Sequence, residues 1–283
     1  MVCRPEDTLK TIAAKVRIAT ILGTVQSTLT DFRYLRSIWK KNCDEERLLG
    51  VSLTGIFDCP AILNAKPAEL VSLRITAVDT NKSWAAKLGI TQSAAVTCVK
   101  PSGTVSQLAS CSSGIHPAYN DYYRRAVRND KKDPIAQIMI DAGVPYEEDK
   151  ANSEAWVFYF PMKSSGLTRK SVGPLRQLDV WHKFAVHWCE HKPSMTCYVG
   201  EYDWPAVGSW VWDNFDMLNG VSFLPSADDG HIYEQAPYED ITKKEYLAMC
   251  KKMPKEIDFK FDESTDNTTS SQELACTADA CEI

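Results

Sequence analysis

The stretch Ala94-Ala95-Val96-Thr97-Cys98-Val99, followed by Lys100-Pro101-Ser102-Gly103-Thr104-Val105-Ser106, decides the fold class. Its first six residues are short-chained or apolar and lie between turn formers, which predicts a buried strand. Pro101-Ser102-Gly103 breaks that strand, and Thr104 to Ala109 reads as the start of a helix. A strand feeding a helix through a tight turn is the repeating unit of an α/β fold.

The same alternation continues outward. Upstream, Leu9, Ile12, Val16, Ala19 and Leu22 lie three or four apart and predict a helix, with Pro5 suited to a first helical position. A second helix is expected over about Asp31 to Trp39, and a third from Pro67 to Leu88, closed by Gly89. Downstream, strands are expected at Tyr122 to Arg128, Trp156 to Phe160, Met195 to Val199 and Val221 to Leu224. Helices are expected from Pro134 to near Gly143, from Pro174 to Glu190 and from Pro205 to Leu218. Thr242-Lys243-Lys244-Glu245 fits a capping box and opens a last helix that ends before Pro254. The fold class is therefore α/β, with no internal repeat.

From Asp262 to Ala275 the composition changes. Only one large apolar residue stands among fourteen, so this segment cannot bury enough surface to offset its ordering entropy. The chain is expected to divide into a body, 1–261, and a flexible tail, 262–283, tipped by Cys276 and Cys281. The net charge of −5 sits in that tail, whose six acids face no base. A nearly neutral body offers no broad basic field for nucleic acid. The apolar run Ala155 to Phe160 is too short to span a bilayer, and Met1-Val2-Cys3-Arg4-Pro5 has no apolar signal region. A soluble, cytoplasmic protein is expected, and its ten cysteines read as thiols rather than as a disulfide framework.

Three features could carry chemistry. In the loop Pro101-Ser102-Gly103-Thr104-Val105-Ser106, a helix start supplies unpaired N–H groups, and Gly103 lets a ligand approach the backbone. A phosphate fits such a loop; a plain Ser/Thr N-cap after a tight turn fits it too. The spacing is not that of a Walker loop. Cys276-Thr277-Ala278-Asp279-Ala280-Cys281 places two thiols on a tip that can move, as reversible thiol–disulfide exchange requires. Zinc is disfavoured because no further ligand lies nearby, and two incidental surface cysteines are the alternative. The third feature is the small-residue loop Ser110-Cys111-Ser112-Ser113-Gly114-Ile115-His116-Pro117, followed by Tyr122-Tyr123-Arg124-Arg125, whose arginines could pair with phosphate. A surface loop before an amphipathic strand is its plainer reading. Spacings of five and four align only His187 and His191 on one helix face, and the three histidines read as polar positions rather than metal ligands.

Several stretches in order carry a family resemblance. They are Val99 to Leu108, Ser113-Gly114-Ile115-His116-Pro117, Thr24-Val25-Gln26-Ser27-Thr28, Leu48 to Ile56, Asn219 to Pro225 and Gln235 to Ile241, with the terminal cysteine pair. Together they resemble the catalytic subunit of ribonucleotide reductases, in particular the monomeric, adenosylcobalamin-dependent (class II) ribonucleoside-triphosphate reductases. The resemblance implies the C-terminal portion of a ten-stranded α/β barrel. It implies that Pro101, Ser102, Gly103, Thr104, Val105 and Ser106 hold the substrate's phosphates. Ser112, Gly114, His116 and Pro117 fall in a region implied to approach the cobalamin. Cys276 and Cys281 are implied to be the pair that re-reduces the active-site disulfide and is itself reduced by thioredoxin.

The family's radical cysteine, set in an Asn-x-Cys-x-Glu-like motif, has no counterpart here, nor does its N-terminal allosteric site. The resemblance thus implies a partner: an N-terminal reductase fragment carrying the thiyl-radical cysteine. A split reductase, a piece of an interrupted or truncated gene, and a binding module without turnover are the three explanations to separate. A class I large-subunit fragment and a thiol-redox module acting on other proteins are the rival functions.

Overall fold

The computed structural model describes residues 1–226 and 234–259, and the backbone of 276–277 and 280–281. In chain order the helices and strands are α1 (Leu9–Gln26), α2 (Ser37–Glu46), β1 (Val51–Ser52), α3 (Pro60–Leu63), α4 (Pro67–Leu88), β2 (Thr97–Cys98) and α5 (Gly103–Leu108). Then come β3 (Tyr122–Asp130), α6 (Pro134–Asp141), β4 (Tyr146–Glu148), β5 (Ala155–Lys163), α7 (Pro174–His187), β6 (Met195–Val199) and α8 (Trp204–Asp213). The last are β7 (Val221–Pro225), β8 (Tyr238–Asp240), α9 (Lys243–Lys252), β9 (Cys276–Thr277) and β10 (Ala280–Cys281). They form two compact units: Met1–Ala118 with Ser164–Ser226, and Tyr119–Lys163 with Ala227–Ile283.

The first unit holds a row of parallel strands. Val2 bridges Thr54, and β1 pairs with β2. The amides of Glu190 and His191 donate to Thr97 O and that of Ser194 to Val99 O, which carries the row from β2 to β6. β6 then pairs with β7 over five residues. Ile12 and Val16 of α1, Leu73 of α4, and Trp181 and Phe184 of α7 are buried in one core with Val99, just after β2, and Val199 of β6. Trp188 ties α7 to the sheet, its Nε1 donating to Cys98 O at 2.8 Å. Among the described residues, nothing pairs with the outer edge of β7 or of segment 1–3. Beside the latter edge lies a cleft of about 520 Å³ between α1 and the approach to β1. Ile18, Leu22 and Val25 form an exposed apolar stripe along α1, extended by Leu29 and Leu48.

Several elements sit where local signals put them. α4 spans Pro67–Leu88 as expected, and Gly89 caps it at φ +67°. In α9 the Thr242/Glu245 capping box is formed on both sides. α1 begins at Leu9 rather than near Pro5, because Thr8 and Thr11 cap it reciprocally while Asp7 accepts from the Arg4 amide and pairs with Lys15. α2 lies later than Asp31–Trp39: it starts at Ser37 and is supported by Lys40–Asp44 and Lys41–Glu45, one turn apart. It buries none of its residues. α7 stops at His187, three residues before Glu190, and α8 stops at Asp213, five before Leu218.

The second unit departs from simple alternation. Its sheet is antiparallel throughout, in the order β4-β5-β3-β8. Six residues link β4 to β5, too few for the crossover a parallel pair needs. All nine residues of β3 pair with β5, in register from Tyr122↔Lys163 to Asp130↔Ala155. Ala136 and Met139 of α6 pack with Phe158, while Met249 of α9 packs with Ala126 and Val157. Arg128 Nε reaches the buried Asp149 at 2.7 Å. Most of the expected tail lies outside the described residues. Its two cysteines fall on β9 and β10, where Cys276 and Cys281 are register partners in an antiparallel pair. No described helix is long and apolar enough to cross a membrane.

Candidate functional site

The loop after β2 is built on the first unit's strand row. Ser102 occupies the N-cap position of α5 but makes no capping bond. Its hydroxyl lies 2.6 Å from Thr54 Oγ1 instead. The amides of Gly103, Thr104 and Val105 therefore find no acceptor among the described residues. Thr104 and Val105 are exposed, and a Cβ placed on Gly103 would meet no atom within 4 Å. Ser106 is buried, its hydroxyl donating to Gly103 O at 3.2 Å. Pro101 is exposed at the entry to the turn.

The second limb, 112–117, is drawn inward. Ser112 N donates to Asp58 Oδ2 at 2.6 Å, and Ser112 O accepts from Gly55 N at 2.9 Å. Gly114 N donates to Thr54 Oγ1 at 2.8 Å. Gly114 adopts φ +54°, and a Cβ there would lie 2.8 Å from Lys100 O, so only glycine suits the position. The limbs also meet directly, Ser102 N donating to Ser113 Oγ at 2.8 Å. Of the four residues implied to face cobalamin, Ser112 and Gly114 are buried, while His116 and Pro117 reach the surface in part.

His116 uses both ring nitrogens. Nε2 accepts from the Thr196 amide at 2.9 Å, so Nδ1 carries the proton and donates to Ser113 O at 2.8 Å. No nitrogen of His116 is left to ligate a metal. Burial holds the His116 pKa below its usual 6.5. An unfolded chain therefore takes up this proton first, so stability is full above about pH 6.5 and falls as the pH drops below it. Urea midpoints measured from pH 7.5 to 5 should decline in the wild type and stay flatter in His116→Gln. Parallel declines would refute the assignment.

The eight cysteines of the body are free thiols. Burial pushes Cys3 up to about 12. Cys59 and Cys98 are raised by burial, and Cys111 by burial and then by the Asp58 carboxylate. Protonated thiols are poor nucleophiles, so redox exchange by these four is disfavoured. Among the described residues no three His, Cys, Asp or Glu side chains gather as metal ligands.

The structure thus brings Ser102, Ser112 and Gly114 together around Thr54, a residue that the motif reading left without a role. Asp58 went unnoticed as well. The signal available was Leu53-Thr54-Gly55, where Gly55 at φ +77° turns the chain so that a Cβ would strike Cys3 O at 2.7 Å.

No protein-family model matches the chain. It is 27% identical to the adenosylcobalamin-dependent ribonucleoside-triphosphate reductase of Euglena gracilis, over 69% of this chain and 27% of that protein. Against the reductase of the same description from Lactobacillus acidophilus it is 24% identical, over 89% of this chain and 38% of that one. The crystal structure of a B12-dependent (class II) ribonucleotide reductase superposes with a TM-score of 0.71 at 22% identity, covering 84% of this chain and 38% of that chain. The chain spans well under half the length of each. The expected α/β class holds, and the fold is shared with part of a class II reductase. In sequence over most of its length, and in fold, the chain resembles part of an adenosylcobalamin-dependent ribonucleoside-triphosphate reductase.

Proposed function

We propose that this chain supplies the C-terminal part of an adenosylcobalamin-dependent ribonucleoside-triphosphate reductase. In this reading the thiyl-radical cysteine lies in the N-terminal part of such an enzyme, with which this portion acts. One observation carries the reading: the loop 101–106 leaves three amides without acceptors among the described residues, while Ser102 spends its hydroxyl elsewhere. Aligned amides at a helix start favour a polyanion such as a triphosphate. Lys100, whose Nζ reaches Ser194 Oγ at 3.1 Å, adds positive charge at the same turn.

The division of labour follows from the residues. The chain binds and orients the triphosphate and so sets where the ribose lies. Adenosylcobalamin, once bound to the assembled enzyme, supplies the radical initiator. Cys276 and Cys281 give up two electrons and two protons to the disulfide left in the active site and become a disulfide themselves, which a thioredoxin dithiol reduces again. The open edges of the strand row and the apolar stripe on α1 favour a partner that completes the sheet.

The test is adenosylcobalamin binding and turnover of a ribonucleoside triphosphate, by the chain alone and with an N-terminal reductase fragment. Binding and turnover that appear only with the fragment are expected. Absence of turnover with a fragment that does bind the chain would overturn the proposal.

A further inference from the structure

We propose that Thr54 and Asp58 are positioning residues that clamp the two limbs of the 100–117 loop and so fix the direction of the amides at 103–105. The role rests on the reading of that loop as the phosphate cradle. The two residues lie before the loop in sequence, on the turn that follows β1, and neither is part of it.

The proton count at Thr54 assigns the bonds. A hydroxyl offers one donor and two acceptor sites. Its proton goes to Ser112 O at 3.1 Å, and it accepts from the Gly114 amide at 2.8 Å. The remaining site, toward Ser102 Oγ at 2.6 Å, must then accept, so Ser102 gives its proton to Thr54. Two consequences follow. Thr54 is saturated, with one bond to the first limb and two to the second. Ser102 has no proton left to offer a phosphate oxygen, which leaves phosphate recognition at this end to the backbone amides.

Asp58 supports the second limb from below. It is buried, at 4% exposure, and its Oδ2 takes the Ser112 amide at 2.6 Å. Its own amide donates to Gly55 O at 3.1 Å, closing the turn that aims Thr54 at the loop. A buried carboxylate bonded to an amide is a strong, directional restraint. Between them, Thr54 and Asp58 hold Ser102, Ser112 and Gly114 at fixed separations, and Gly103 to Val105 hang directly from Ser102. Ser112 Oγ and Asp58 Oδ1 are both buried without a partner among the described residues.

The experiment compares the full chain with Thr54→Val, Thr54→Ser and Asp58→Asn, using inorganic tripolyphosphate as the probe and amide hydrogen exchange as a ligand-free readout. Thr54→Val keeps the shape and removes the hydroxyl. Its tripolyphosphate affinity should fall about tenfold, the cost of one buried hydrogen-bonding group. Exchange at 103–105 and 112–114 should quicken by about tenfold, with the α4 and α7 amides unchanged. Thr54→Ser should restore both, which a loss of general packing would not allow. Asp58→Asn keeps the shape and removes the charge, and should weaken binding about threefold; it carries the test if Thr54→Val fails to fold. Wild-type binding with equal binding and equal exchange in the folded variants overturns the positioning role alone. A wild-type chain that binds no tripolyphosphate overturns the phosphate-loop reading, and the positioning role with it.

Discussion

Gly166→Ala should destabilise the first unit by about 3 kcal/mol or more, toward the upper end of overpacking costs. A Cβ at this position would fall on Asp58 Oδ1 and lie 2.7 Å from Asp58 Cα and 2.8 Å from Phe57 O. Two of those atoms are backbone and cannot swing aside. Nor is there slack around them, since Phe57 and Asp58 are buried and Leu167 N donates to Phe57 O at 3.3 Å. The methyl group must push the 57–58 turn away from 166. That motion pulls Asp58 off the Ser112 amide, so the damage reaches the loop as well as the core. Gly208, inside α8 with no atom within 4 Å of its Cβ position, is the control. Alanine there should be neutral or stabilising by up to about 1 kcal/mol, because it lowers the cost of forming helix. Urea unfolding of the two variants decides the matter. A Gly166→Ala midpoint matching the wild type would show that the 57–58 turn yields freely.

What was legible in the sequence was local. Pro67, the apolar spacing and Gly89 marked both ends of α4, because each signal acts within a turn of the helix it bounds. The α9 capping box is a four-residue statement of the same kind. β1 is two residues long, too short for periodicity to register, yet it seeds the turn on which Thr54 and Asp58 stand. The bonds those two make span 48 to 60 residues of chain, and no local pattern announces them. The residue types in the loop pointed to a phosphate or to an N-cap. Only the placement of Thr54, which diverts the Ser102 hydroxyl, weighs against the N-cap. His116 stood out as a motif residue, and its role was illegible because it depends on the Thr196 amide, 80 residues later. The antiparallel sheet of the second unit was hidden for another reason: alternation of strand and helix does not encode strand direction, which the six-residue link between β4 and β5 sets.

Cys276→Ser or Cys281→Ser should abolish thioredoxin-driven turnover of the assembled enzyme, a loss of at least about a hundredfold, while dithiothreitol-driven turnover persists near the wild-type rate. Exchange requires a pair, because a single thiol forms a mixed disulfide that nothing nearby resolves. The serine variants remove that resolving step and leave the loop at 101–106 untouched. The backbone suits a pair. As register partners on antiparallel strands, the two residues have Cα atoms about 4.5–5.5 Å apart, within the range a disulfide spans. The composition of 262–275 predicts a tether whose r.m.s. reach is roughly 20 Å, enough to move such a pair between two reaction partners. Dithiothreitol is small and needs no shuttle, so it separates a defect in delivery from a defect in chemistry. Cys3, Cys59, Cys98 and Cys111 of the body are poor substitutes, since burial raises their pKa values. If both serine variants turned over with thioredoxin as fast as the wild type, the electrons would have to enter without the tail, and the pair would carry no role in the reaction. If the variants lost both activities equally, the cysteines would be acting on assembly and not on delivery.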